Sequence, residues 1–132
     1  MSWETYQRRA RVMNEVLDDV AASDDRRIPD RWRPEIERTF GSEAGLARAL
    51  YPRWFAALTA RLDPVLEAGP ADLPDAAARA ARQLARERPA LFGLLAAYRG
   101  DPALADARRQ ERRYLDWAPG AQLTALATPV PA

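Results

Sequence analysis

An all-α, single-domain fold follows from three observations on the sequence. Valine, isoleucine and threonine together number only twelve of the 132 residues, so strand formers are scarce. Alanine, leucine, arginine and glutamate dominate, and all are strong helix formers. Apolar residues recur at spacings of three and four in the segments bounded by proline or glycine. A chain of this length builds one domain with a modest core. The 48% hydrophobic content overstates that core, because 28 of the residues are alanines, which add helix propensity and little buried area. The expectation is a helical bundle of five or six helices over residues 1–117, followed by a flexible tail over 118–132.

The first helix is read from Trp3 to about Ala22, with Ser2 as its N-cap. Trp3, Tyr6, Ala10, Met13, Leu17 and Val20 alternate spacings of three and four, the seam of a short coiled coil, and Val12 and Val16 widen one edge. Arg8, Arg9 and Arg11 lie toward the start, and Glu15, Asp18 and Asp19 toward the end, an order that opposes the helix dipole. An antiparallel partner centred near Met13 would set basic half beside acidic half. The seam, with Arg8, Arg9, Asp18 and Asp19, is therefore the expected self-association surface of a homodimer, or else packs on an internal partner.

Pro29 and Pro34 interrupt "ASDDRRIPDRWRP", which reads as a loop with at most one turn. Trp32, Ile36 and Phe40 then recur every four residues up to Gly41, placed to end a short helix. Trp32 and Phe40 are expected to clamp a corner of the bundle. Arg31 and Arg33 flank Trp32 and form, with it, a candidate surface contact for an aromatic face or an anion.

Ser42 caps a long third helix ending at Gly69. Leu46, Leu50, Trp54, Leu58, Leu62 and Leu66 keep a spacing of four along it, which marks the core helix. Pro52 cannot donate a backbone hydrogen bond and should kink the helix near Arg48 or restart it. Tyr51, Trp54 and Phe55 cluster at that irregularity and are a candidate pocket for a small apolar ligand.

The helix "PDAAARAARQLARER" has alanines at 77, 80 and 81 as its inner face and Leu84 as its one large apolar residue. In "RPALFGLLAAYRG", Pro89 suits the first helical position, and Leu91, Phe92, Leu94, Leu95 and Tyr98 are apolar nearly all round, which implies burial. Asp101 and Pro102 start the last helix, read to about Trp117, with Leu104, Ala107, Tyr114 and Leu115 facing in. Residues 118–132, "APGAQLTALATPVPA", carry no charge and three prolines, and read as flexible, with Leu123, Leu126 and Val130 available to dock as an extended peptide.

Composition excludes several chemistries. All twenty cations are arginines, a bias that fits a GC-rich bacterial genome, and lysine, histidine and cysteine are absent. There is thus no Schiff-base lysine, thiolate nucleophile, imidazole base or nitrogen and sulfur zinc site. None of the three serines lies in a nucleophile elbow. No catalytic residue, metal site or cofactor is expected. Net charge is +1, with eleven arginines and eleven acids in the first half and nine and eight in the second, so no basic domain for nucleic acid stands out. The densest cluster, "RRQERR" at 108–113, spreads around a helix and is diluted by Asp106, Glu111 and Asp116. No signal peptide is evident, and the longest charge-free run before the tail, "PALFGLLAAY", is only ten residues, too short to span a bilayer. A cytoplasmic protein without a membrane segment is expected.

Two stretches resemble segments of known families. "LDDVAASDDRR" looks like the aspartate-rich motif of trans-prenyltransferases, but the third carboxylate position is Ala22 and no second such motif is present. "RPALFGLLAAYRGDPAL" is similar to leucine-rich segments in the effector-binding half of TetR-type regulators. No helix-turn-helix accompanies it, because prolines 29 and 34 fall where a recognition helix belongs. That resemblance implies only a ligand-binding helical bundle. The favoured reading is a non-enzymatic helical interaction module, partnered by protein or by itself. The alternative is a bundle that holds a small apolar ligand near Pro52.

Overall fold

The computed structural model describes residues 2–128, and every one of its regular elements is helical. Helix α1 spans Trp3–Ala22, and the Ser2 hydroxyl accepts the Thr5 amide at 3.1 Å. A 3-10 turn, Asp30–Trp32, leads into α2, Arg33–Phe40, with Pro34 in its first turn. The chain reverses at Gly41, whose φ of 83° is a left-handed conformation that favours glycine. Helix α3, Glu43–Ala68, begins with Ser42 Oγ accepting the Gly45 amide at 2.9 Å and ends at Gly69, φ 55°. Gly45 is obligatory for a different reason: a Cβ there would stand 2.1 Å from the Phe40 carbonyl oxygen. The α2–α3 corner closes only because that position has no side chain.

Both Pro52 and Pro64 lie inside α3, which is one continuous helix and does not restart. Pro52 has no N–H, so the Arg48 carbonyl lacks its usual intrahelical donor. Around α3 pack α4 (Leu73–Glu87), α5 (Pro89–Ala97) and α6 (Ala105–Tyr114), the last entered through a 3-10 turn at Pro102–Leu104. Asp101 caps that turn, accepting the Ala103 amide at 2.9 Å. Leu46, Leu50, Tyr51, Trp54, Leu58 and Leu62 form the central row and are at most 1% exposed. Each fully buried leucine contributes about 2 kcal/mol relative to exposure. Leu66, expected to continue the row, lies past the end of the packing partners and is exposed.

Residues 118–128, the described part of the segment read as a flexible tail, pack on the bundle. After α6, Ala118 and Ala121 are fully buried, a 3-10 turn spans Pro119–Ala121, and a seventh helix, α7 (Leu123–Ala127), follows with Leu123 fully buried. This segment lies on α4, where Ala77, Ala78 and Ala81 leave a low surface that backbone approaches closely; a Cβ on Gly120 would be 3.3 Å from Ala78 Cβ. The alanine face is thus a seat for residues 118–123. Leu126 packs on the core as well. Val130, grouped with these as a docking residue, falls outside the described residues. The additional helix also explains why there are seven α-helices among the described residues where five or six were expected.

Candidate functional site

The first-helix seam divides between inside and outside. Val12, Val16 and Val20 are the buried residues of α1, while Met13 and Leu17 are half-buried against the core and Ala10 lies at its edge. The internal partners are α5 and α2. The seam from Ala10 to Val20 is therefore largely satisfied within the chain, and a symmetric pairing centred at Met13 would have to use residues already covered. The valine edge wins because compact β-branched side chains let α1 approach its neighbours closely.

The charges of α1 are also partly committed. The Arg9 guanidinium donates to the Thr39 carbonyl at 3.2 Å and lies 4.7 Å from the centroid of the Phe40 ring. Asp19 Oδ2 accepts the Trp32 indole N–H and Arg31, each at 2.6 Å. The indole hydrogen bond, helped by Arg31, holds the Asp19 carboxyl below its ordinary value. Arg33 pairs with Asp30 at 3.5 Å. Arg31, Trp32 and Arg33 therefore tie the loop to α1 and to itself, while both guanidiniums stay about two-thirds exposed. Asp18 points to solvent.

Two turns at the start of α1 remain uncovered. Trp3 is 69% and Tyr6 58% exposed, and their rings stack on each other with centroids 5.6 Å apart and planes 17° from parallel. Beside them, Glu4 and Arg8 are exposed; neither forms a close ion pair or hydrogen bond among the described residues, and Arg8 acts on Glu35 only from a distance. Among the described residues only Leu66, far along α3, is another exposed large hydrophobic side chain.

The expected aromatic pocket is split by α3. Tyr51 and Phe55 line a groove of about 540 Å³ between α3 and α6, floored also by Pro52 and Ala107 and rimmed by Arg48 and Asp106. Trp54 does not reach this groove: it turns into the core, fully buried, with its ring 5.6 Å from that of Phe92. Trp54 is 3 residues from Tyr51 and 1 from Phe55 in the sequence, and packing on Phe92 of α5 draws it inward.

Sequence reasoning missed Glu111. It stands in the middle of "RRQERR" yet is only 2% exposed. Its Oε2 accepts the Tyr51 hydroxyl and its Oε1 the Leu123 amide, each at 2.9 Å. Burial raises the Glu111 carboxyl above its ordinary value, against those hydrogen bonds and the nearby Arg108 and Arg112. Burial likewise raises the Tyr51 phenol far beyond its usual range. Arg108 turns inward too, donating to the Arg99 carbonyl at 2.6 Å and to Thr124 Oγ1 at 2.8 Å. These contacts secure the C-terminal segment and have no open face for a substrate.

Comparison of the chain with protein families, with curated proteins and with solved structures returns no match. No helix among the described residues is long and apolar enough to cross a membrane.

Proposed function

We propose that the protein is a non-enzymatic helical interaction module that pairs weakly with a second copy of itself through the first two turns of α1. The observation that carries this reading is the Trp3–Tyr6 stack, two large aromatics left in water while α1 buries its valine edge. Tryptophan and tyrosine are the side chains that most often dominate binding energy at interfaces. Charge supports a second copy as the occupant. In an antiparallel pair with its two-fold axis beside Tyr6, Glu4 of each copy lies opposite Arg8 of the other, and both are otherwise unpaired.

The patch is small against the roughly 800 Å² per partner of a standard interface, so the pairing is weak and concentration-dependent. Sedimentation equilibrium tests it. The wild-type chain should self-associate at high micromolar concentration, Trp3→Ala with Tyr6→Ala should be monomeric, and Arg8→Glu should weaken association. Adding Glu4→Arg to Arg8→Glu should restore it, because an isologous contact exchanges both charges at once. A wild-type chain that stays monomeric at millimolar concentration overturns the reading.

The groove beside Pro52 supports a second reading, a bundle that holds a small apolar ligand against Tyr51 and Phe55, near the Arg48 carbonyl that Pro52 leaves without its helical donor. Saturable stabilisation by a neutral aromatic compound, lost in Phe55→Ala, is the result expected from it.

A further inference from the structure

Besides the two prolines inside α3 and Gly45, which the α2–α3 corner demands, two positions in the described chain hold a residue that their own backbone disfavours. Arg26 has a φ of 55°, the left-handed region, where glycine or asparagine is usual and an arginine is strained. Gly93 lies inside α5, where alanine would be the better helix former. Packing does not demand that glycine, since a Cβ at 93 would meet nothing within 4 Å. The two are 67 positions apart in sequence and on different elements, yet both line one cavity of about 350 Å³ between the end of α1, the loop that follows it and α5. Departures from the locally best residue that converge on one place mark a functional constraint better than either does alone.

The cavity has two sides of opposite character. Val20, Ile28, Leu94 and Ala97 supply an apolar wall, and bare α5 backbone at Gly93 leaves room beside it. Arg26 and Arg27 stand at its mouth, held there by a tight turn. Ser23 O accepts the Arg26 amide at 3.3 Å, and Asp25 Oδ1 accepts both the Arg27 amide and the Ser23 hydroxyl. Neither guanidinium forms a close ion pair among the described residues, although the charge of Arg27 helps hold the Asp25 carboxyl below its ordinary value. Two carboxylates also line the cavity: Glu43, which accepts the Tyr98 hydroxyl and keeps its charge, and the exposed Asp30, which lies 3.5 Å from Arg33. Arg26 and Arg27 are the cationic groups of the lining.

We propose that this cavity is a binding site for a small amphipathic carboxylate, its apolar body against Val20, Leu94 and Gly93 and its carboxylate held by Arg26 and Arg27. Guanidinium groups match carboxylates in geometry and give charge-assisted hydrogen bonds. Apolar walls with a few convergent polar groups are the usual make-up of a small-molecule site. The strain at Arg26 then has a use, because it aims one of two successive arginines across the mouth. The site is separate from the Trp3–Tyr6 patch and stands or falls without it.

The test is a titration of the full chain followed by ¹H–¹⁵N NMR, with octanoate, octanol and octylammonium as probes. Octanoate is expected to shift the Gly93 and Arg27 amides saturably, and to bind about tenfold tighter than either of the other two, the difference of one charge-assisted contact. Arg26→Gly and Arg27→Gln should each bring octanoate down toward octanol. Gly93→Leu should abolish the shifts for all three probes by filling the space. Arg26→Gly and Gly93→Leu move toward what the backbone favours, so both should melt no lower than wild type, which separates lost binding from lost folding. Arg27→Gln removes the same charge with no change in backbone preference. Absence of saturable shifts, equal affinity for octanoate and octanol, or binding that survives Gly93→Leu would each overturn the proposal.

Discussion

The hydroxyl of Tyr51, in the middle of α3, donates at 2.9 Å to the carboxylate of Glu111, sixty residues later on α6, and both are buried. The other oxygen of that carboxylate takes the first amide of α7. One acid thereby joins three elements.

Replacing Glu111 by alanine strands the Tyr51 hydroxyl and the Leu123 amide in the core, at about 1–3 kcal/mol for each buried group left unpaired. Glu111→Gln keeps an acceptor and should cost less. Burial raises the Glu111 carboxyl, so its contribution is fully present below the ordinary value near 4.5 and is lost as pH rises through the raised folded value. The stability of Glu111→Gln relative to wild type should therefore improve from pH 4 to pH 7. Urea unfolding of both proteins at the two pH values measures this.

Asp19 carries the opposite sign. Its carboxyl is lowered by the Trp32 indole and Arg31, so the stability it contributes is present above its ordinary value of 3.8 and is lost as pH falls through the lowered folded value. Asp19→Asn should lower Tm at pH 7 and make no difference in strong acid. Thermal melts of the pair across that range should converge at the low end.

Leu123→Ala should cost about 2–4 kcal/mol, as for other fully buried leucines. A loosely attached C-terminal segment would leave Tm unchanged, so a single melting curve decides between the two.

Gly45→Ala places a methyl group against the Phe40 carbonyl, where neither side is flexible. A loss of about 2 kcal/mol or more is expected from such overpacking. Gly41→Asn, at a left-handed position that asparagine tolerates, should cost much less.

Trp54 is fully buried, and its indole N–H has no partner among the described residues. Trp54→Phe removes that orphan donor together with some volume. Its cost should fall well below the roughly 3–5 kcal/mol of a truncation to alanine, as a comparison of the two variants by urea unfolding would show.

Helix starts and stops were legible in the sequence because they depend on local chemistry. Ser2, Ser42 and Asp101 cap where expected, and Gly41 and Gly69 terminate where expected. Which face of a helix is buried was legible only where one row stood out. In α3 a single row of leucines ran unopposed as far as Leu62. In α1 two neighbouring stripes shared Val20, and only the shape of α2 and α5 chose the valines over the Trp3–Tyr6 row. Glu111 was hidden because four arginines around it imitate a solvated surface. The last segment was misread because its side chains are small, and small side chains pack well only on an equally flat partner such as the alanine face of α4. Tyr51 and Phe55 were singled out beside Pro52, but the α6 wall of their groove and the cavity at Gly93 were not, since both are assembled from elements far apart in the chain.

The alanine face of α4 also sets an order on biosynthesis. Synthesis runs from the N-terminus, so Ala77 and Ala81 leave the ribosome with their cover, residues 118–123, still to be made, and the carboxylate of Glu111 emerges ahead of the amide it will accept. A nascent chain in that interval shows a methyl-studded surface in place of a leucine-rich one. Such a surface attracts chaperones and other unfinished chains weakly, so the last piece can arrive late without the wait becoming a hazard.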